Sequence, residues 1–310
     1  MPARLTICFA MAPAREMILD RETIVGRGPE CGVRIEDDRV SRRHAVFTPA
    51  PAVSSASSGR SGWTVRDLGS KNGTLIDGVP AARGRLAVRS WISFGGVIVR
   101  FEVVQGSAVA FHEERYRRLT TALEARRELD PAAGLQSLLA RVVTSMLGLT
   151  NAERGFVLLA GEDGGLDVAA RSGISWDDLR AAEFGGSAGA VEQALASGRA
   201  VVISDAQADA ELGVRPSVVA GGIRALVCAP LQALDRRIGV LYADSRTPGA
   251  VFTELDLEIL EALSTQAGLA IAAVRLNGEL RGLAERIAPQ RSFAESWHGL
   301  LAAHAPAGAR

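Results

Sequence analysis

Residues 22–49, ETIVGRGPECGVRIEDDRVSRRHAVFTP, decide the class of the first half of the chain. Three short runs, 22–27, 33–36 and 44–49, are rich in β-branched residues and separated by polar turns, the first marked by Gly28-Pro29. No helical period of any length fits them. Outward from this stretch the pattern repeats: LTICFA at 5–10, EMIL at 16–19, WTVRDL at 63–68 and WISFGGVIVRFEVV at 91–104 read as strands, with Asp77-Gly78 as a further turn. Several short strands at this spacing predict an all-β sandwich. Residues 49–62, PAPAVSSASSGRSG, read as a mobile loop bulging between two strands.

The whole chain has 310 residues, 35 basic and 35 acidic side chains, a formal net charge of zero and 47% hydrophobic content. That length favours about two domains. The apolar fraction excludes global disorder. Charge balance argues against a protein built to grip nucleic acid or an anionic membrane. No uninterrupted apolar run approaches the ~20 residues of a membrane helix. LTICFAMAPA after Arg4 loosely mimics a signal peptide, but it reads better as the first strand. Cys8, Cys31 and Cys228 lack metal or disulfide spacing, which suits a reducing cytoplasm. Basic charge is almost all arginine, and Lys71 is the single lysine.

Three segments of the first half concentrate chemistry at strand-to-loop junctions, where a sandwich gathers side chains at one end. They are Gly26-Arg27, Val40-Ser41-Arg42-Arg43-His44 and Leu68-Gly69-Ser70-Lys71-Asn72-Gly73-Thr74. In this order and spacing, GR, SRRH and SKNGT resemble the forkhead-associated (FHA) family over roughly residues 5–105. The resemblance implies an FHA sandwich that binds a phosphothreonine peptide through loops at one end. A phosphate dianion favours a guanidinium fork, a hydroxyl donor and a cationic rim. By the resemblance, Arg27 and Ser41 contact the phosphate, Arg42 adds a further contact, and Asn72 bonds the peptide backbone. Lys71 adds charge at the rim, and Gly26, His44 and Gly73 brace the loops. The residues do not decide a role for Arg43. Where the family often carries an acidic residue, this chain has Gly32 preceded by Cys31, which is expected to alter loop rigidity more than phosphate contact.

The second half alternates strands and helices. FHEERYRRLTTALEARREL at 111–129 reads as a narrow-seamed connector helix, with Tyr116, Leu119 and Leu123 on one face. Asp130-Pro131 reads as a helix start, followed by a wide stripe from Leu135 to Leu147. FVLLA and LDVAARS flank a hairpin sequence, GEDGG. AVEQALASG reads as a helix closed by Gly198. AVVIS, ALVCAPL and IGVLYA read as buried strands, the last two antiparallel. Thr253–Asp256 is a capping box opening a long helix. Its first stripe, Leu260, Leu263, Ala267, Ala270 and Val274, is expected to pack on the domain. Its second, Leu276, Leu280, Leu283 and Ile287, is expected to face a partner helix.

VVISDAQADAEL at 201–212, GIRALVCAPL at 222–231 and RIGVLYADSR at 237–246, with the flanking helices, resemble the GAF family. This implies an α+β domain with an antiparallel sheet, binding a small molecule or nothing. Cys228 sits in an apolar run and reads as core, not as a bilin attachment point. The half lacks the cyclic-nucleotide signature, has no histidine for haem in the domain proper, and has too few cysteines for methionine sulfoxide reduction. Asp205, Asp209, Arg224 and Asp244 read first as loop-holding residues. Asp205 and Arg224 are the candidates to line a pocket.

The expected organisation is 1–106 FHA domain, 107–130 connector helix, 131–275 GAF domain, and 276–310 helix extension and frayed tail. No P-loop, kinase, cyclase, DNA-reading or nucleophile–base arrangement is recognisable in the sequence. The chain therefore reads as a cytoplasmic bacterial signalling adaptor without catalytic residues, metal or cofactor. Its expected partners are a threonine-phosphorylated protein, such as a Ser/Thr kinase or its substrate, an unidentified small ligand at the GAF domain, and a second copy through the flanking helices. The alternative is a GAF-based small-molecule sensor with the FHA domain as tether, related to enhancer-binding activators.

Overall fold

The computed structural model describes residues 1–49, 60–104, 108–127, 129–150, 152–161, 165–180, 185–204 and 222–303. Most of the 49–62 loop, Asp205 and Asp209 lie outside the described residues.

The described residues of the first domain form eleven strands: β1 Ala3–Phe9, β2 Ala12–Leu19, β3 Thr23–Gly26, β4 Val33–Arg34, β5 Ala45–Pro49, β6 Arg60–Asp67, β7 Thr74–Ile76, β8 Val79–Pro80, β9 Arg83–Ala87, β10 Arg89–Phe94 and β11 Val97–Val103. They form two sheets, ordered β2-β1-β11-β10-β7-β8 and β4-β3-β5-β6-β9. Alternate residues point inward: Leu5 and Ile7 of β1, Ile92 and Phe94 of β10, and Val97, Val99 and Phe101 of β11 are buried. Phe47 packs edge-on to Phe94 and stacks on Phe101, and Trp63 meets Phe101 edge-on. Burying each such ring contributes roughly 1.5–3 kcal/mol.

Two sequence readings change. The run 91–104 is not one strand, because Gly95-Gly96, at φ 60° and 98°, folds it into the β10–β11 hairpin. β7, β8 and β9 are not recognisable as strands from the sequence, being only two to five residues long.

The second domain comprises α1 Ala108–Arg127, a 3-10 turn Pro131–Ala133, α2 Leu135–Thr150, β12 Arg154–Ala160, β13 Leu166–Ser172, α3 Trp176–Arg180, α4 Gly185–Ser197, β14 Val201–Ile203, β15 Ala225–Ala233, β16 Arg236–Ser245 and α5 Glu254–Ala303. Its sheet is antiparallel throughout, ordered β13-β12-β16-β15-β14. Odd-numbered residues of the central strands, such as Val227, Leu241 and Ala243, face a core shared with α2 and α5. Even-numbered residues, such as Leu226, Cys228 and Tyr242, face a second core containing α4 residues Ala190, Val191 and Ala194.

Asp130 caps only the 3-10 turn, its carboxylate accepting from Ala132 N–H at 2.8 Å, and α2 begins after Gly134. The face read on the connector helix also divides. Leu119 packs inward beside Leu149, Leu255 and Ile259, whereas Tyr116 and Leu123 stay exposed. The helix thus packs on the second domain, and Arg118 ion-pairs with Asp256. Asp256 also completes the capping box, accepting from Thr253 N–H at 2.7 Å. The part of α5 over residues 254–287 is long and apolar enough to cross a membrane. Within them Leu260, Leu263, Ala267, Ala270 and Ile271 are buried against the sheet, while Leu276, Leu280, Leu283 and Ile287 are exposed.

Hydrogen bonds join the two domains. Ala14 N–H donates to Phe252 O at 2.7 Å and Ser204 N–H to Ala10 O at 3.3 Å, and the Ser204 hydroxyl donates to Ala12 O at 3.0 Å.

Candidate functional site

Three loops meet at one end of the sandwich. Arg27 leaves β3, and its N–H donates to Ser41 O at 3.0 Å, while Gly28 N–H donates to Arg42 O at 2.9 Å. This close approach explains Gly26: a Cβ there would stand 2.2 Å from Arg42 O. Lys71 N–H donates to Ser41 Oγ at 2.9 Å, bringing in the third loop. Ser41 Oγ keeps its own proton available for an acceptor.

His44 joins the loops from beneath. It is fully buried, its Nδ1 accepts from Ser41 N–H at 3.1 Å, and its Nε2 lies 3.0 Å from Gly73 O. With Nδ1 accepting, Nε2 carries the proton and donates to Gly73. Burial holds the His44 pKa below its ordinary value, with Gly73 and Asp67 pulling the other way. Asp67 organises the turn before Lys71, accepting from Gly69 N–H, Ser70 N–H, Ser70 Oγ and Thr74 Oγ1. Burial alone would raise its carboxyl, but these four donors keep it below the usual carboxylate range.

Arg27, Arg42, Arg43 and Lys71 are exposed. None of the four pairs with a carboxylate among the described residues. The surface is therefore cationic and offers guanidinium and ammonium donors and a hydroxyl, a donor set suited to an oxyanion. Asn72 is exposed too, and its Nδ2 donates to Arg39 O at 2.7 Å, so it also holds the neighbouring 37–39 turn. Two braces escaped the sequence reading. Asp67 falls inside the strand-like run 63–68, although Asp67-Leu68-Gly69-Ser70 is also a turn pattern. Cys31, noted only as a departure, donates its thiol to Arg42 O at 3.0 Å.

In the second domain, Arg154 Nε donates to Asp244 Oδ1 at 2.7 Å, and Asp244 is completely buried. Both lie on the sheet face that carries Tyr242, whose ring stacks on Phe156 at 4.5 Å. Burial raises the Asp244 carboxyl and the Tyr242 hydroxyl above their ordinary values, with Arg154 pulling both down. Asp244, read as a loop-holding residue, instead sits within β16 and ties it to β12 through Arg154, a partner the sequence reading does not single out. Burial also pushes the Cys228 thiol up, as suits a core residue. Arg224 precedes β15 and lines a cleft facing the first domain; Asp205 lies outside the described residues.

Comparison with known proteins follows the same division. The FHA domain model matches residues 23–95 and the GAF domain model residues 134–271. A Nif-specific regulatory protein of Sinorhizobium fredii is 28% identical over 149 residues, 47% of this chain and 25% of that protein. The match thus spans about a quarter of that curated relative. Among solved structures, an FHA domain studied for phosphothreonine-dependent interactions is 24% identical, with TM-score 0.29, covering 34% of this chain and 100% of that one. The GAF domain region of a Geobacter sulfurreducens protein is 22% identical, with TM-score 0.38, covering 45% and 93%. The chain carries an FHA domain followed by a GAF domain.

Proposed function

We propose that this chain is a non-catalytic signalling adaptor whose FHA domain captures a threonine-phosphorylated protein, a Ser/Thr kinase or its substrate, in the cytoplasm. FHA and GAF domains are typically non-catalytic, and their pairing supports an adaptor or sensor. The observation that carries the reading is the joining of three loops through Ser41, with Arg27, Arg42 and Lys71 around it forming no ion pair with any described residue. Arg27 supplies the guanidinium fork, Ser41 a hydroxyl donor, Arg42 and Lys71 the cationic rim, and Asn72 a backbone contact. Phosphate-dependent capture of threonine peptides by the intact chain, lost in Arg27→Ala, is the test.

The GAF domain serves as the second input. Its exposed stripe Leu276, Leu280, Leu283 and Ile287 has the four-three-four spacing of a helix seam, which favours a second copy as its partner. The match to the GAF domain model over residues 134–271 supports a further role as small-ligand sensor. A ligand at 100 times its dissociation constant would add ~2.7 kcal/mol to stability, readable as a thermal shift.

A further inference from the structure

A cleft of about 550 Å³ lies between the two domains, immediately beside the loops just described. One wall comes from the FHA domain, with Asp37, Arg39, Trp91 and Ile98; the other comes from the GAF domain, with Arg224 and the segment 248–251. The walls are fixed to one another, since Arg100 Nη1 donates to Gly249 O at 3.1 Å and Trp91 packs against Gly249.

The cleft is continuous with the loop surface. Asn72 bonds the carbonyl of Arg39, whose side chain lines the cleft. The Gly95-Gly96 turn closes the gap: a Cβ on Gly95 would stand 2.2 Å from Arg39 O and 3.3 Å from Asn72 Cβ. A chain leaving the phosphate site past Asn72 therefore meets the cleft next.

Its chemistry selects what can enter. Arg39 is neutralised by Asp37, with Nη2 and Oδ2 at 2.8 Å. Arg224 forms no ion pair with any described residue, so the described lining of the cleft carries one positive charge in excess. Trp91 and Ile98, each about two-fifths exposed, add an apolar wall.

We propose that the GAF domain completes the peptide-binding groove, and that this cleft takes the flank of the phosphothreonine peptide, with Arg224 selecting an acidic side chain. The proposal rests on the phosphothreonine reading and extends it: a residue of the second domain sets the sequence preference of the first.

The experiment uses the full chain and a phosphothreonine peptide in which one Asp, or one Lys, is walked along both flanks. Asp at one offset is expected to bind roughly two- to fivefold tighter than Lys there, the size of a partly exposed ion pair. Arg224→Glu should invert that preference, and Arg224→Gln should flatten it, both retaining phosphate dependence as evidence of an intact FHA surface. Equal binding of Asp and Lys peptides at every offset overturns the proposal while leaving the phosphothreonine reading standing. So does a preference that neither variant changes. Absence of any phosphate-dependent binding overturns both.

Discussion

The Lys71 backbone N–H donates to the Ser41 hydroxyl at 2.9 Å, joining loops thirty residues apart. The same hydroxyl is the one expected to donate to phosphate. Ser41→Ala removes both, and should lower phosphopeptide affinity by about 10- to 100-fold, as for a hydrogen bond to a charged group worth roughly 1.5–3 kcal/mol. Ser41→Thr, which keeps the hydroxyl, should retain most of the binding. Calorimetric titration with one peptide measures both.

His44 makes the loop surface sensitive to acid. Its folded pKa is lowered, chiefly by burial. Its contribution is therefore fully present above the ordinary value near 6.5 and is lost as pH falls through the lower folded value. Protonation of Nδ1 would also remove the acceptor for Ser41 N–H. Denaturant stability of the FHA domain should fall between pH 7 and pH 5, and His44→Gln should lose that part of the slope. Asp67, also lowered, acts in a separate window below about pH 4, where its carboxylate protonates and its four donors lose their acceptor.

The Arg154–Asp244 pair should behave as a buried ion pair. Arg154→Met alone leaves a buried carboxylate and should destabilise the GAF domain by roughly 3–5 kcal/mol. The double variant Arg154→Met with Asp244→Leu should recover much of that loss. Urea unfolding of the two variants distinguishes this from a cavity effect, which the double change would not repair.

The outward stripe of α5 should hold two copies together. Leu280→Glu with Leu283→Glu places charge on that seam and should convert a dimer into a monomer by light scattering, with far-UV circular dichroism preserved. A wild-type chain that is monomeric at high concentration would contradict the dimer.

What could be read from sequence follows the range of the forces involved. The sandwich strands were legible because β-branched residues alternate over four or more positions, and α5 because its stripe keeps a helical spacing for many turns. β7 to β9 were not, since strands of two to five residues are too short to show an alternation and acquire their structure from neighbours. Arg27, Ser41 and Asn72 are singled out by the resemblance that the GR, SRRH and SKNGT segments carry, and the structure brings the three loops together. The Cys31 thiol bond to Arg42 O was not, because it joins positions eleven apart whose approach is set by Gly26. The split of α1, with Leu119 inward and Tyr116 outward, depends on the docking of α2 and α5, which no local pattern encodes.

Binding of the intact chain to a degenerate phosphothreonine peptide library, beside its unphosphorylated counterpart and the Arg27→Ala variant, tests the central claim most directly. A lost guanidinium–phosphate contact costs on the order of 2–5 kcal/mol. The account predicts binding that requires the phosphate and falls at least about thirtyfold in Arg27→Ala. Equal binding with and without phosphate, or an Arg27→Ala variant that binds as wild type, would contradict it.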